Sequence, residues 1–403
     1  MRLKRITKKG KVMVDTVLYQ YMDEMLRQTT EKHFRYIYKE IDWSARMIGI
    51  VGPRGVGKST MLRQHILRQT DRDKILYVSA DFVYFNTHSL IYLADEFVKD
   101  GGTRLFIDEI HKYKNWSQEL KQIFDVHPEL QIVFTGSSVL DIYKGLADLS
   151  RRVLIFHMQG LSFREFLLIR YDIEAPVYSL EDIIAQRVEI PGVAHPLPLF
   201  REYLAKGYYP FSNEPGFELR INQIVQQTIE SDIAQYADLK PATARKLKQL
   251  LGVVSSLAPY KPNYDNLAKE VGISKNNVAD YLTYLEKAGL IGLLRDNTAG
   301  MRQLGKIEKV YVDNTSLMNV LANGNPNIGN IRETFFFNQM RVRNDILGSR
   351  VSDFFISPYT FEVGGKSKGR RQIEDVDNGR IVKDDIETGH RIVIPLWTFG
   401  MNY

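Results

Sequence analysis

The residues Gly52, Pro53, Arg54, Gly55, Val56, Gly57, Lys58 and Ser59 spell G-x-x-x-x-G-K-S between the apolar run RMIGIVG and a segment with helical spacing. Glycines without Cβ let successive backbone N–H groups turn inward and form an anion-binding concavity. A helix starting near Lys58 would aim its positive dipole end at the same place. In such a loop Lys58 neutralises the β- and γ-phosphates, Ser59 holds Mg²⁺ and Thr60 helps on the α-phosphate side. The plain alternative is a glycine-rich turn with a fortuitous lysine. The strand–loop–helix setting argues against it. The ligand expected is ATP with Mg²⁺.

A second set of chemical residues lies about fifty positions downstream, in Leu105-Phe-Ile-Asp108-Glu109. An apolar strand ending in two carboxylates delivers both to the C-terminal edge of a parallel sheet, where ligands bind. Asp108 is expected to hold Mg²⁺ through its water shell, and Glu109 to polarise the attacking water as general base. The next apolar run, QIVFTGSS, ends in small polar residues. Either Thr135 or Ser137 touches the γ-phosphate or the attacking water, or the Thr-Gly-Ser triplet simply makes the turn. Arg151 and Arg152 open a later apolar run. There a guanidinium either reaches a second copy of the chain as an arginine finger, which implies a homo-oligomer, or is an ordinary surface arginine.

These groups need a scaffold. Five apolar runs, RMIGIVG, KILYVSAD, TRLFIDEI, QIVFTGSS and RRVLIFHM, alternate with helix-length segments between Arg46 and Met158. That alternation predicts a doubly wound α/β domain of buried parallel strands. Ahead of it, Val17, Leu18, Tyr21, Met22, Met25 and Leu26 have helical spacing. The expected division is a helical segment over 1–45, a P-loop core over 46–159, a helical lid over 160–242, a two-helix-and-hairpin module over 243–315, and a small α/β domain over 316–403.

No NKxD-type guanine-reading element follows the phosphate loop, which argues against a GTPase. Asp108-Glu-Ile-His111 spells a helicase box, but no second motor domain follows it. The order of LFIDEIHK, IVFTGSS, RRVLIFHMQGLSFREFL and GYYPF resembles a prokaryotic family of AAA+ ATPases whose C-terminal domain has no known function. The resemblance covers nearly the whole chain. In that family a glycine precedes the arginine and a proline opens the next turn; here Ser150 and Gly160 take those places. The resemblance implies an AAA+ P-loop core, a lid, a winged helix and a restriction-endonuclease-like C-terminal domain. It also implies a nucleotide-driven switch or motor with a nucleic-acid partner.

In NLAKEVGISKNNVADYLTYLEKAGLI, Leu267, Ala268 and Val271 face one way, Gly272 permits a sharp turn and Ser274 can cap the next helix. Val278, Tyr281, Leu282 and Leu285 form that helix's buried stripe. Lys275, Asn276, Asn277, Asp280 and Thr283 then face outward, where they can meet bases or phosphates of DNA. Winged helices also dock proteins, and Asp280 and Glu286 oppose a polyanion. LIGLLRD and KIEKVYVD would make the wing.

Farther on, Glu333, Asp353 and Glu362 resemble the acidic frame of restriction-endonuclease-like folds. Gly364 stands where such enzymes need a lysine, while Lys366 and Lys368 are near but out of register. The expectation is a nuclease-like fold without cleavage; metal-dependent cleavage is the alternative.

Composition bounds the rest. The 403 residues, 44% hydrophobic and 25% charged, suit a globular protein of two to four domains. No apolar run approaches the roughly 20 residues a membrane-spanning helix needs. The start, MRLKRITKKGK, is basic without the apolar stretch of a secretory signal. The chain has no cysteine, which removes disulfides and thiolate chemistry and fits a reducing cytoplasm. The net charge of +6 is clustered, in Arg2 to Lys11 and in GGKSKGRR, as a polyanionic partner would favour. Three functions follow: a DNA-coupled ATPase, a nucleotide-gated regulator of a partner protein with little turnover, or a metal-dependent nuclease.

Overall fold

A computed structural model describes residues 14–136, 145, 149, 151–237, 239–296, 306–322, 325–369 and 371–403. The basic N-terminal cluster, Ser137 and Ser150 lie outside them. The chain divides into two compact units, one of Met1–Gly52 with Lys58–Met158, the other of Pro53–Gly57 with Gln159–Tyr403.

The first unit is built on five parallel strands: β1 (Met47–Val51), β2 (Ile75–Ser79), β3 (Arg104–Asp108), β4 (Gln131–Gly136) and β5 (Leu154–His157). Their order across the sheet is β2-β3-β4-β1-β5. Every residue of β1 and β2 is buried, which is why these strands read as unbroken apolar runs. The fifth strand departs from the expected buried run. It lies at one edge of the sheet, and Leu154 is 47% exposed, whereas β2 at the other edge is buried throughout.

Helix α1 (Thr16–Arg27) begins behind Asp15, whose carboxylate accepts from the Val17 N–H. It buries Leu18, Met22 and Leu26, while Val17 faces outward. Val14 and Leu18 join the same core as Val51, Val78, Ile107 and Phe134. Burying side chains of this size is worth about 1.5–3 kcal/mol each. Helices α2 (Lys58–Leu67), α3 (Leu90–Lys99) and α4 (Trp116–Val126) complete this unit.

The second unit is helical at first. The helix Phe163–Tyr171 opens with a reciprocal capping box between Ser162 and Glu165. The helix Phe217–Gln227 passes into a π-helical turn, Thr228–Ile233, and then into Ala234–Tyr236. Three helices follow, Pro241–Leu257, Tyr264–Val271 and Lys275–Lys287. Gly272 closes the second of these at φ 67°, and the Ser274 hydroxyl caps the third. Val278, Tyr281, Leu282 and Leu285 are buried. An antiparallel pair, β6 (Ile291–Arg295) and β7 (Ile307–Val312), comes next.

The C-terminal part carries a mixed sheet of β8 (Leu347–Gly348), β9 (Phe354–Ile356), β10 (Tyr359–Gly364), β11 (Gly379–Lys383) and β12 (Val393–Pro395), ordered β12-β11-β10-β9-β8. The phenylalanine-rich helix Ile328–Met340 packs on it. The Phe336 ring lies 5.0 Å from Phe354, 5.2 Å from Phe361 and 4.8 Å from Phe399.

Candidate functional site

Strand β1 ends where the phosphate loop begins. Gly52 receives the carbonyl oxygen of Met158 so closely that any Cβ would collide with it. Gly57 stands at φ 98°, a region only glycine enters freely, and α2 starts at the next residue. The first N–H groups of α2 lack intrahelical acceptors, so they can serve an anion. Lys58 is 4% exposed, and its ammonium donates to the Gly52 carbonyl at 2.8 Å. Its charge is thereby fixed at the mouth of the loop. Ser59 and Thr60 occupy the first turn of α2.

Asp108 is the centre of the site. It ends β3, which runs between β2 and β4. Its Oδ1 accepts hydrogen bonds from the Ser59 hydroxyl at 3.0 Å and from the Thr135 hydroxyl. Its Oδ2 accepts from the Tyr77 phenol at 2.8 Å. Three neutral donors, on α2, β4 and β2, therefore converge on one carboxylate that is 6% exposed. Burial, and after it the charge of Asp108, drives the Tyr77 phenol far above its ordinary pKa, so it remains a protonated donor. Tyr21 stacks on Tyr77 at 6.2 Å and is raised by the same two causes in the same order.

Glu109 follows at φ 52°, ψ 42°, a left-handed conformation that breaks the in–out alternation of the strand. Its N–H donates to Thr135 Oγ1 at 3.1 Å. The hydroxyl of Thr135 thus braces both acidic residues, accepting from one backbone and donating to the other carboxylate. Thr135 is fully buried within β4 and is not part of a turn. The Glu109 carboxylate lies 3.4 Å from Nε2 of His111. Asp108 and Glu109, adjacent in sequence, are therefore separated in role by one backbone dihedral.

The oxygen set suits Mg²⁺. A hydroxyl and a carboxylate 3.0 Å apart fit a hard cation that keeps several waters and binds through few protein ligands plus substrate phosphates. Among the described residues, no cluster of three or more His, Asp or Glu side chains is arranged to hold a metal by itself.

The remaining candidates fall elsewhere. Arg152 forms a two-pronged pair with Asp125, Nε–Oδ1 2.9 Å and Nη2–Oδ2 3.0 Å. On the helix Lys275–Lys287, residues Lys275, Asn276, Asn277 and Asp280 are exposed, with Lys275 paired to Asp265 at 2.8 Å. Thr283 is half-buried, and its hydroxyl donates back to the Ala279 carbonyl. Glu286 is held by both arms of Arg295, at 2.8 and 2.6 Å, and so is tied to the hairpin.

In the C-terminal part, the Lys309 ammonium donates to Glu333 at 2.9 Å and to Asp353 at 3.0 Å. Glu362 pairs with Lys368 and accepts from the Ser352 hydroxyl. Lys368, expected out of register, reaches Glu362 after all because the chain folds back beyond Gly364 through the turn Gly365–Lys368.

Tyr77 and the brace formed by Thr135 were not anticipated from the sequence. The signal for Tyr77 was available, as it is the one hydroxyl-bearing residue inside the apolar stretch ILYV.

Residues 44–167 match the AAA domain family, and residues 197–327 match a domain of unknown function, DUF8612. No curated protein matches the chain. Among solved structures, the Walker-type ATPase paby2304 of Pyrococcus abyssi is 14% identical, with 80% of this chain and 99% of that one covered at a TM-score of 0.43. PCH-2 of C. elegans is 18% identical over 66% of this chain and 68% of its own, at 0.25. AMPPCP-bound DnaA from Aquifex aeolicus is 15% identical over 68% and 90%, at 0.25. Residues 44–167 thus resemble an AAA domain, and the parallel sheet and phosphate loop within them suit ATP binding. Among the described residues, no helix is long and apolar enough to cross a membrane.

Proposed function

We propose that this chain is a Mg²⁺-dependent ATPase that couples hydrolysis to contact with DNA. The observation that carries the reading is the Asp108 carboxylate, buried and accepting hydrogen bonds from the hydroxyls of Ser59, Thr135 and Tyr77. A carboxylate in such company is a hard oxygen ligand suited to a divalent cation. Magnesium held at this site would supply positive charge to offset the negative charge that develops on the transferred phosphoryl group.

Ser59 and Asp108 would hold that ion, and Lys58 would stay with the β- and γ-phosphates. Glu109, turned out of the strand by its left-handed backbone, would take the proton of the attacking water. Thr135 keeps the two acidic residues in fixed relation. Arg152 would act as a finger on a second copy of the chain only after leaving Asp125.

DNA contact is supported by the exposed polar first turn of the helix Lys275–Lys287, set against a hairpin as in a winged helix. The pairing of Glu286 with Arg295 removes one of the two acids that oppose a polyanion there. The absence of cysteine fits work in a reducing cytoplasm.

A specific observation favours a second reading, a nucleotide-gated regulator with little turnover. His111 lies beside the Glu109 carboxylate, Nε2 to oxygen 3.4 Å, where it would compete with an attacking water for that carboxylate. ATP hydrolysis by wild type and by Glu109→Gln, each with and without double-stranded DNA, separates the two. Turnover that DNA accelerates and Glu109→Gln abolishes supports the coupled ATPase. ATP binding without turnover under any of these conditions overturns it in favour of the regulator.

A further inference from the structure

Arg54 occupies one of the four positions that the phosphate-loop motif leaves unspecified, yet it is among the most firmly held residues of the loop. Its Nε lies 2.7 Å from Oδ2 of Asp232 and its Nη2 lies 2.8 Å from Oδ1. Two parallel charge-assisted hydrogen bonds of this kind fix orientation as well as distance. The Arg54 side chain is 13% exposed and that of Asp232 is 2% exposed, so the pair is shielded from water.

Asp232 belongs to the π-helical turn Thr228–Ile233, which interrupts an otherwise α-helical run from Phe217 to Tyr236. A π turn lodges an extra residue in the helix and so changes which side chains face a given neighbour. The loop packs closely on the same region. A Cβ on Gly55 would come 2.7 Å from the Phe211 ring and 3.1 Å from Ile224, and one on Gly289 would come 2.7 Å from Pro53. Pro53–Gly57 accordingly groups with the second unit.

We propose that Asp232 is a positioning residue for the phosphate loop. By gripping Arg54 it holds Pro53–Gly57 in the shape that receives phosphates, and it links that shape to the helix on which it stands. Because Asp232 neutralises the guanidinium, the pull on an anion is left to the loop N–H groups and to Lys58. By thermodynamic reciprocity, nucleotide that orders the loop must also steady the π turn. The proposal rests on the ATP-binding reading above.

The test compares Mg²⁺-ATP and AMP binding to wild type, Asp232→Asn, Asp232→Glu and Arg54→Lys. AMP lacks the phosphates that the loop cradles. Asp232→Asn and Arg54→Lys are expected to weaken Mg²⁺-ATP at least tenfold while leaving AMP affinity unchanged, and Asp232→Glu to recover part of the loss. Equal losses for both nucleotides, or no loss for either, overturn the proposal. If Asp232→Asn does not fold, amide hydrogen exchange of the wild type decides. Mg²⁺-ATP should slow exchange across residues 228–233, and an unchanged rate overturns the proposal. A wild type that binds no Mg²⁺-ATP overturns the ATP-binding reading and this inference together. A wild type that binds it without the predicted differences overturns this inference alone.

Discussion

Two regions of this protein hold buried or half-buried carboxylates, and they satisfy them in opposite ways. Asp108 is surrounded by hydroxyls, which lend hydrogen bonds but no charge. Glu333, Asp353 and Glu362 are met by ammonium groups, Lys309 between the first two and Lys368 on the third. A carboxylate held by neutral donors retains its attraction for a cation, while one already paired with lysine has spent it. Acidic residues at the end of a strand are thus a poor guide to metal chemistry until their partners are known.

The largest expected effect tests the first region. Glu109→Gln should lower ATP turnover by two to four orders of magnitude, the usual contribution of a positioned base, while Mg²⁺-ATP affinity in equilibrium binding stays within twofold of wild type. A variant that loses affinity together with turnover would mean that Glu109 shapes the loop and does not act on water.

The second region should respond in stability. Lys309→Met leaves Glu333 and Asp353 facing each other without their shared cation. Denaturant melts should show a clear loss, smaller than the roughly 3–5 kcal/mol that stranding a fully buried charge costs, because Glu333 and Asp353 are half-buried. The same variant should recover at lower pH, because a Glu333 carboxyl pushed higher still takes up a proton in the folded state. If Lys309→Met is as stable as wild type, the contrast between the two regions is wrong.

Two buried groups, one in each compact unit, should also titrate with opposite signs. His65 is buried against Trp43, with ring centroids 3.7 Å apart, and is held down to about 4 by burial and then by Arg104 and Arg68. Its folded pKa lies below the unfolded value of 6.5, so the unfolded chain binds the proton first. Stability is full above pH 6.5 and falls toward pH 4, by on the order of 3 kcal/mol. Glu333 is raised by burial and then by the Asp353 charge. Its folded form binds the proton first, so the penalty it carries at neutral pH is relieved as pH falls toward its ordinary value. Melts of wild type and His65→Phe across this range check the first sign, since the variant should flatten the acid limb.

The smallest effect belongs to Arg152→Ala. Its half-exposed pair with Asp125 is screened by solvent, so thermal melts should shift little. A collapse of turnover without a matching loss of stability would instead identify Arg152 as acting on another subunit's nucleotide.

Much of this was legible from residue order. The phosphate loop, the strand that ends at Asp108 and the helix cap at Ser274 are local patterns, each set by neighbours within a few positions. What escaped was set by sheet order. The ladder places β4 between β1 and β3, which brings Thr135 onto Asp108, and places β2 on the other side, which brings Tyr77. Nothing in the spacing of Tyr77, Asp108 and Thr135 encodes that meeting. The grip of Asp232 on Arg54 spans 178 positions and depends on a π turn that apolar periodicity does not reveal. Lys368 was misjudged for a related reason, since strand register says little about a side chain that returns from the loop beyond.

The backbone of Glu109 has a consequence for how this protein could be improved or could drift. A residue with a Cβ held at φ 52° carries a conformational cost on the order of 1 kcal/mol that glycine would largely escape. Selection for thermal robustness alone would therefore favour Glu109→Gly, the change that removes the proposed base. A library screened only for heat resistance should accumulate sturdier, silent proteins at this position, and one screened for turnover should keep the contorted acid.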